Sequence, residues 1–171
     1  RYSDAIEAFA LAPIGLVNKN SRSDVAFKQG YSYFQLKDYA TAASYLDQVK
    51  ELTIPLAADA LYYSGYIAME QGNNQQAIRE LQLASESEFY SSKVPYLLTS
   101  LYYKEGNYAE AIGFATPLLA SGKSFDQQET IHLFLAESHY ALKDFRNAAD
   151  QYNSFISFKT GENVIRSCYK L

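Results

Sequence analysis

Residues 30–49 read GYSYFQLKDYATAASYLDQV, and their pattern returns three times along the chain. The later copies are GYIAMEQGNNQQAIRELQLA at 65–84, TSLYYKEGNYAEAIGFATPL at 99–118 and AESHYALKDFRNAADQYNSF at 136–155. Their starting points lie 35, 34 and 37 residues apart. Because a period between about 20 and 50 residues is typical of stacked structural repeats, we expect one architecture built from four similar units.

Each copy predicts two helices joined by a tight turn. Apolar side chains recur at the helical period, as in Phe27, Tyr31 and Phe34. A small residue opens each copy and an alanine follows twelve residues later, which lets the two helices approach closely. The small residues are Gly30, Gly65, Thr99 and Ala136, and the alanines are Ala42, Ala77, Ala111 and Ala148. The second helices begin after residues that commonly cap helix N-termini, namely Asp38, Asn73, Asn107 and Asp144.

In these features the sequence resembles the tetratricopeptide repeat (TPR) family over nearly its whole length. An aromatic residue that the family places early in the first helix is missing, and Pro55 falls one residue later than the family's proline. The resemblance implies an all-α fold, a right-handed α-solenoid of antiparallel helix hairpins known as the TPR superhelix. It also implies a concave face lined by the first helix of each hairpin.

We expect residues 1–171 to form a single solenoid segment. Within it, residues 1–17 are predicted to be the second helix of a preceding repeat. Four hairpins are predicted over 22–55, 57–90, 91–124 and 126–160, and residues 161–171 are predicted to start a further helix. Because half a repeat cannot bury its apolar side alone, we expect the natural protein to continue on both sides. The exposed half repeats would then be free to associate end to end with other copies.

The resemblance also predicts which side chains face the groove. The predicted partner-binding residues are Phe27, Tyr31, Phe34, Tyr62, Tyr66, Lys93, Tyr96, Tyr103 and Tyr140. Tyrosine gives rigid contact area and a hydroxyl for hydrogen bonding, which suits an extended peptide or an inserted helix. The alternative is that about half of these rings pack between neighbouring helices, since burial is the common fate of aromatic side chains on helix faces. The family's lysine- and asparagine-lined clamp for C-terminal carboxylates is excluded, because Lys93 alone matches it.

Composition narrows the classes of function. The net charge of −4 argues against nucleic-acid binding, and no run of about 18 apolar residues predicts a membrane span. His132 and His139 lie seven residues apart without the His-Glu-x-x-His spacing of a metal site, so a packed role is expected for both. Cys168 is the single cysteine and lacks the setting of a nucleophile. We therefore expect no catalytic residues, no cofactor and no metal.

Three functions fit this sequence. The favoured one is a protein–protein interaction scaffold that holds a peptide or helix in an aromatic groove. The alternatives are a structural spacer or stalk within a larger protein, and a helical accessory domain of an enzyme. The residue usage is similar to that of long TPR proteins of Gram-negative cell envelopes, of the Bacteroidetes type, which favours a bacterial, periplasmic-side location over the cytoplasmic alternative.

Overall fold

The computed structural model describes residues 2–11 and 18–168, with the backbone alone for residues 10, 19–20 and 159–168. This part of the chain is made of helices and the turns between them, without a strand. The helices are α1 (Tyr2–Ala10), α2 (Lys19–Gln35), α3 (Tyr39–Lys50), α4 (Leu56–Glu70), α5 (Asn74–Ala84), α6 (Glu88–Ser91), α7 (Val94–Lys104), α8 (Tyr108–Ala120), α9 (Gln128–Ala141) and α10 (Phe145–Cys168).

The chain divides into two compact units, Arg1–Tyr90 and Ser91–Leu171. In the first unit α2 pairs with α3 and α4 pairs with α5, while α1 packs on α2. In the second unit α7 pairs with α8 and α9 pairs with α10. Each unit is thus built around two helix hairpins, and these coincide in place with the four copies seen in the sequence.

The ends of the hairpins differ in detail from the expected boundaries. The short helix α6 follows the second hairpin and was not anticipated. At the other end α10 continues from Phe145 to Cys168, although a separate helix was expected from residue 161. A single glycine inside a helix costs only about 1 kcal/mol, and no proline lies near Gly161 to end the helix. The predicted segments 12–17 and 169–171 lie outside the described residues.

Helix caps follow the prediction in part. The side chains of Asp38 and Asp144 accept hydrogen bonds from the backbone N–H groups of Thr41 and Asn147, at 3.2 and 3.3 Å. The two asparagines expected to act in the same way, Asn73 and Asn107, make no such bond. Their ψ angles of 60° and 63° are close to the 76° of Asp38, which does cap its helix, so the backbone angle does not account for the difference.

Close approach of the paired helices explains the small residues. The alanines of the pattern are all buried, with at most 2% of their surface exposed. At Gly65, a methyl group would lie 2.9 Å from Cγ of Leu81, which is itself fully buried, and 3.2 Å from the Leu81 backbone nitrogen. Gly30 stands in the same relation to Leu46, at 2.9 Å. Packing against the second helix therefore requires glycine at these two positions, despite its low helix propensity.

Replacing Gly65 with alanine is expected to lower the free energy of unfolding by about 1–2 kcal/mol, because overpacking outweighs the gain in helix propensity. Gly113 on α8 provides the matched control, since it is exposed and an added methyl group would meet nothing within 4 Å. Gly113→Ala is expected to raise the free energy of unfolding by about 0.5–1 kcal/mol. Urea denaturation measures both, and an equal gain in the two variants would contradict the packing argument.

Candidate functional site

Aromatic side chains of the first unit form one continuous network. It consists of the described rings Tyr2, Phe27, Tyr31, Phe34, Tyr39, Tyr62, Tyr63, Tyr66, Phe89 and Tyr90, each within 6.2 Å of another, centroid to centroid. Most of these rings come from the first helices of the two hairpins, α2 and α4. We call this set the aromatic network. It contains the five partner-binding residues that the sequence predicted in this unit.

Tyr63 lies at the centre of the aromatic network, although the sequence pattern did not select it. Its ring centroid lies 5.0 Å from that of Phe34, 5.1 Å from Tyr31 and 6.1 Å from Phe27. Burial, followed by the nearby Tyr31, Tyr62 and Asp59, raises the pKa of the Tyr63 hydroxyl to about 12. Tyr63 therefore joins the second hairpin to the first rather than serving as a free groove side chain.

This buried phenol predicts a specific response to alkaline pH. A pKa raised from 10.0 to about 12 means that the folded state binds the proton more tightly than the unfolded state. The contribution of Tyr63 to stability is therefore complete below pH 10 and is lost as the pH rises towards 12. A Tyr63→Phe variant keeps the ring without the proton, so it should lose less stability than the parent over this range. Thermal melts at several pH values test this, and identical losses would contradict it.

The second unit repeats the same joint between hairpins. The ring of Phe134 lies 6.2 Å from that of Tyr96 and 5.0 Å from that of Tyr103. Tyr103 in turn lies 6.0 Å from Tyr108, as Phe34 lies 5.8 Å from Tyr39 in the first unit. Tyr63 lies two residues before Gly65, and Phe134 lies two residues before Ala136. In each unit this ring inserts between two rings of the preceding hairpin.

The predicted partner-binding residues thus fall into different environments. Phe27, Phe34, Tyr96 and Tyr103 are partly buried and receive the inserted ring of the next hairpin. Tyr31 and Tyr66 follow the small residues Gly30 and Gly65, and they lie partly exposed within the aromatic network. Tyr140 is 58% exposed and contacts Phe145, and no third ring from the described residues joins this pair. Lys93 is partly buried just before α7.

Tyr90 is a second residue of the network that sequence reasoning missed. It lies on the short helix α6, is only 3% exposed, and its hydroxyl donates a hydrogen bond of 2.5 Å to Asp59. Burial and this bond raise the pKa of Tyr90 well above its usual value. The Tyr90 ring stacks on Tyr62 at 4.4 Å and so fixes the orientation of that ring. Its signal in the sequence was faint, since Tyr90 follows the hairpin pattern rather than belonging to it.

A charged cluster links the second helices of the first unit. Lys50 on α3 lies 2.6 Å from the Glu80 carboxylate on α5 and 2.7 Å from that of Asp47. Burial opposes the charge of Lys50, but its hydrogen bonds to Asp47 and Glu80 outweigh this effect and raise its pKa. The amide of Gln76 donates to the same oxygen of Glu80, while the other carboxylate oxygen is buried without a partner among the described residues.

The histidines sit in packed polar contacts. His132 Nδ1 lies 2.7 Å from the Gln151 side-chain oxygen, and His139 Nδ1 lies 3.1 Å from Asp144. Among the residues that the structure describes, no three His, Cys, Asp or Glu side chains gather as a metal site would require. None of the described helices combines the length and the apolar character needed to cross a membrane.

Comparison with known proteins agrees with this architecture. A family model described as tetratricopeptide repeat matches residues 27–90. The C-terminal part of a TPR repeat-containing protein from Cytophaga hutchinsonii has a similar fold, with a TM-score of 0.72 and 19% identity over 92% of this chain and 60% of that chain. The chain thus spans less than two thirds of that structure. A crystal structure of MamA is similar with a TM-score of 0.70 and 16% identity, over 95% of this chain and 91% of that chain. No curated protein matches in sequence.

Residues 27–90 therefore match the tetratricopeptide repeat family, and the solved structures show for the chain the fold alone. The resemblance noted in the sequence and the predicted fold class, an all-α TPR solenoid, are confirmed. Proteins of this kind generally act as scaffolds for protein interactions.

Proposed function

We propose that the chain is a protein-interaction scaffold whose first unit binds a peptide or helix of a partner protein on the aromatic network. The proposal includes no catalytic step and no cofactor. It depends on one observation, which is that the first unit carries more aromatic rings than the packing of its hairpins requires.

Comparison of the two units supports this excess. In the second unit the joint between hairpins is made by four rings, those of Tyr96, Tyr103, Tyr108 and Phe134. At the places of Tyr31 and Tyr66 the second unit has Ser100, which is buried, and Glu137, which accepts a hydrogen bond of 2.6 Å from the Tyr152 hydroxyl. The same joint thus forms without rings at these two places. The joint between hairpins therefore does not require rings at Tyr31 and Tyr66, and their partly exposed faces add to the rings around them.

Tyrosines so placed suit a protein ligand. Each has a rigid ring with two torsion angles to order and a hydroxyl able to bond the backbone of an extended segment. Aromatic side chains are also enriched among the residues that carry most of the energy of protein interfaces. The exposed ring of Phe89, 63% accessible, extends the apolar area at one end of the network.

Site-specific photocrosslinking tests this proposal. A photoreactive phenylalanine analogue is placed at Tyr66 in one variant and at Tyr45 in the other, and each is incubated with an extract of the cells that produce the protein. Tyr45 is the matched control, since it stacks on Tyr33 outside the aromatic network. A protein crosslinked from Tyr66 and not from Tyr45 supports the proposal. Equal crosslinking from both sites, or from neither, argues for the spacer function instead.

A further inference from the structure

The charge of the molecule is divided unevenly between the two units. Residues 1–90 carry eleven acidic and seven basic side chains, whereas residues 91–171 carry eight of each. The whole net charge of −4 therefore belongs to the unit that contains the aromatic network. Such an excess attracts oppositely charged ligands and repels acidic ones.

Acidic side chains share helix faces with the rings of the network. On α2, Asp24 precedes Phe27 and Tyr31 by three and seven residues, a spacing that places all three on one side of the helix. On α4, Asp59 stands in the same relation to Tyr62 and Tyr66. Glu70 follows Tyr66 by four residues, so it continues this face. The carboxylates therefore border the rings instead of lying elsewhere on the unit.

Basic side chains near the network are few. Helix α4 has two carboxylates and no lysine or arginine. On α2, the Lys28 ammonium lies 3.5 Å from the Asp24 carboxylate, and more than half of each side chain is exposed. Because such exposed ion pairs are weak, a cationic ligand group can compete with Lys28 for Asp24. Lys28 also lines a cavity beside Tyr2 and Tyr31, whereas Arg22 lines another cavity with Val25, Tyr33 and Tyr45.

Tyrosine faces and carboxylates favour the same kind of ligand group. The face of an aromatic ring attracts cations, and the planar guanidinium of arginine also stacks on rings and pairs with carboxylates through two parallel hydrogen bonds. An acidic segment would meet repulsion from Asp24, Asp59 and Glu70, and it would gain nothing from the ring faces. The ring faces and the carboxylates of this surface thus both favour a cationic group such as arginine.

We infer that the segment bound on the aromatic network is basic and presents arginine side chains to the tyrosine rings and to the exposed carboxylates of Asp24 and Glu70. This inference rests on the proposed function, and it names the chemical class of the partner. Because part of the attraction is between exposed charges, binding should weaken as the salt concentration rises.

A displayed library of short random peptides, selected on the 171-residue chain in about 0.05 M salt, supplies the probes. Fluorescence anisotropy then gives the affinity of each selected peptide for four proteins. These are the parent chain, an Asp24→Asn/Glu70→Gln variant, a Glu51→Gln/Glu110→Gln variant and a Tyr31→Ser/Tyr66→Ser variant. All four neutralised carboxylates are exposed, and the Glu51 and Glu110 variant changes the net charge equally at positions more than ten residues from any ring of the network.

The inference is supported by two results together. The selected peptides are rich in arginine, and their binding is weakened roughly five- to tenfold by Asp24→Asn/Glu70→Gln but less than about twofold by the charge-matched variant. Neutral or acidic peptides that are lost only in the tyrosine variant overturn it and leave the proposed function standing. Equal weakening by the two neutralised variants also overturns it, since the effect is then one of net charge. If the tyrosine variant binds every selected peptide as well as the parent does, the proposed function fails as well.

Discussion

Replacing Lys50 with methionine is expected to lower the free energy of unfolding by about 2–3 kcal/mol. The substitution keeps the length of the side chain but removes the cation 2.6 Å from Glu80, whose residue is 7% exposed. Breaking a buried ion pair from one side is costly because the remaining charge lies out of water without compensation. The loss should fall at or below the low end for fully buried pairs, since both side chains keep a tenth or more of their surface in water. Urea or guanidinium denaturation followed by circular dichroism measures this change.

Two further variants separate this explanation from a simple loss of packing. A Lys50→Met/Glu80→Met double variant should regain most of the stability, because apolar groups of similar size often replace a buried pair at little cost. Asp47→Asn should cost about 0.5 kcal/mol or less, since Asp47 is 55% exposed. If the double variant loses as much stability as Lys50→Met and Glu80→Met lose when measured singly and added together, the buried charge is not the cause.

Replacing Tyr31 and Tyr66 together with serine is expected to weaken partner binding by about 2 kcal/mol or more, which is about thirtyfold. Serine is the residue that the second unit already has at the equivalent Ser100, so the hairpin joint should survive. The free energy of unfolding should fall by less than about 2 kcal/mol, as the lost ring contacts of Tyr31 and Tyr66 are at partly exposed positions. Quantitative capture of the protein crosslinked from Tyr66 measures the binding, and thermal melts measure the stability.

Tyr45→Ser is the control for this second experiment. It removes the same kind of ring from the same unit, where it stacks on Tyr33 at 5.7 Å. Partner binding should be unchanged in this variant. If Tyr31→Ser/Tyr66→Ser instead unfolds the chain and leaves partner binding unchanged, Tyr31 and Tyr66 are packing residues, like Phe27 and Phe34.

The hairpins were predictable because their signal is local and repeated. The small residues and alanines mark where two helices touch, and the buried Ala42 and Ala77 show why no larger side chain fits there. The end of α10 was less predictable, since Gly161 weakens a helix without stopping it. The caps expected at Asn73 and Asn107 did not form, although both residues have nearly the same backbone angles as the capping Asp38, so residue type alone did not predict the bond.

The rings were harder to assign than the helices. The sequence placed Phe27, Phe34, Tyr96 and Tyr103 on a helix face, but could not show that Tyr63 and Phe134 come from the following hairpin to cover them. These contacts join residues 29 to 38 positions apart, and helical periodicity carries no information at this distance. Tyr90 was missed similarly, since its bond to Asp59 joins α6 to the start of α4.

The insertion of Tyr63 and Phe134 into neighbouring hairpins also bears on how such a chain can grow by gene duplication. A recombination breakpoint in the connection at 51–55 would separate Tyr63 from Phe27 and Phe34, which receive it. The new neighbour would then need a residue of matching size two places before its small residue. The inserting ring and the rings that receive it must therefore be inherited together. We expect shuffled copies to be tolerated where the breakpoint keeps such a set of rings on one side.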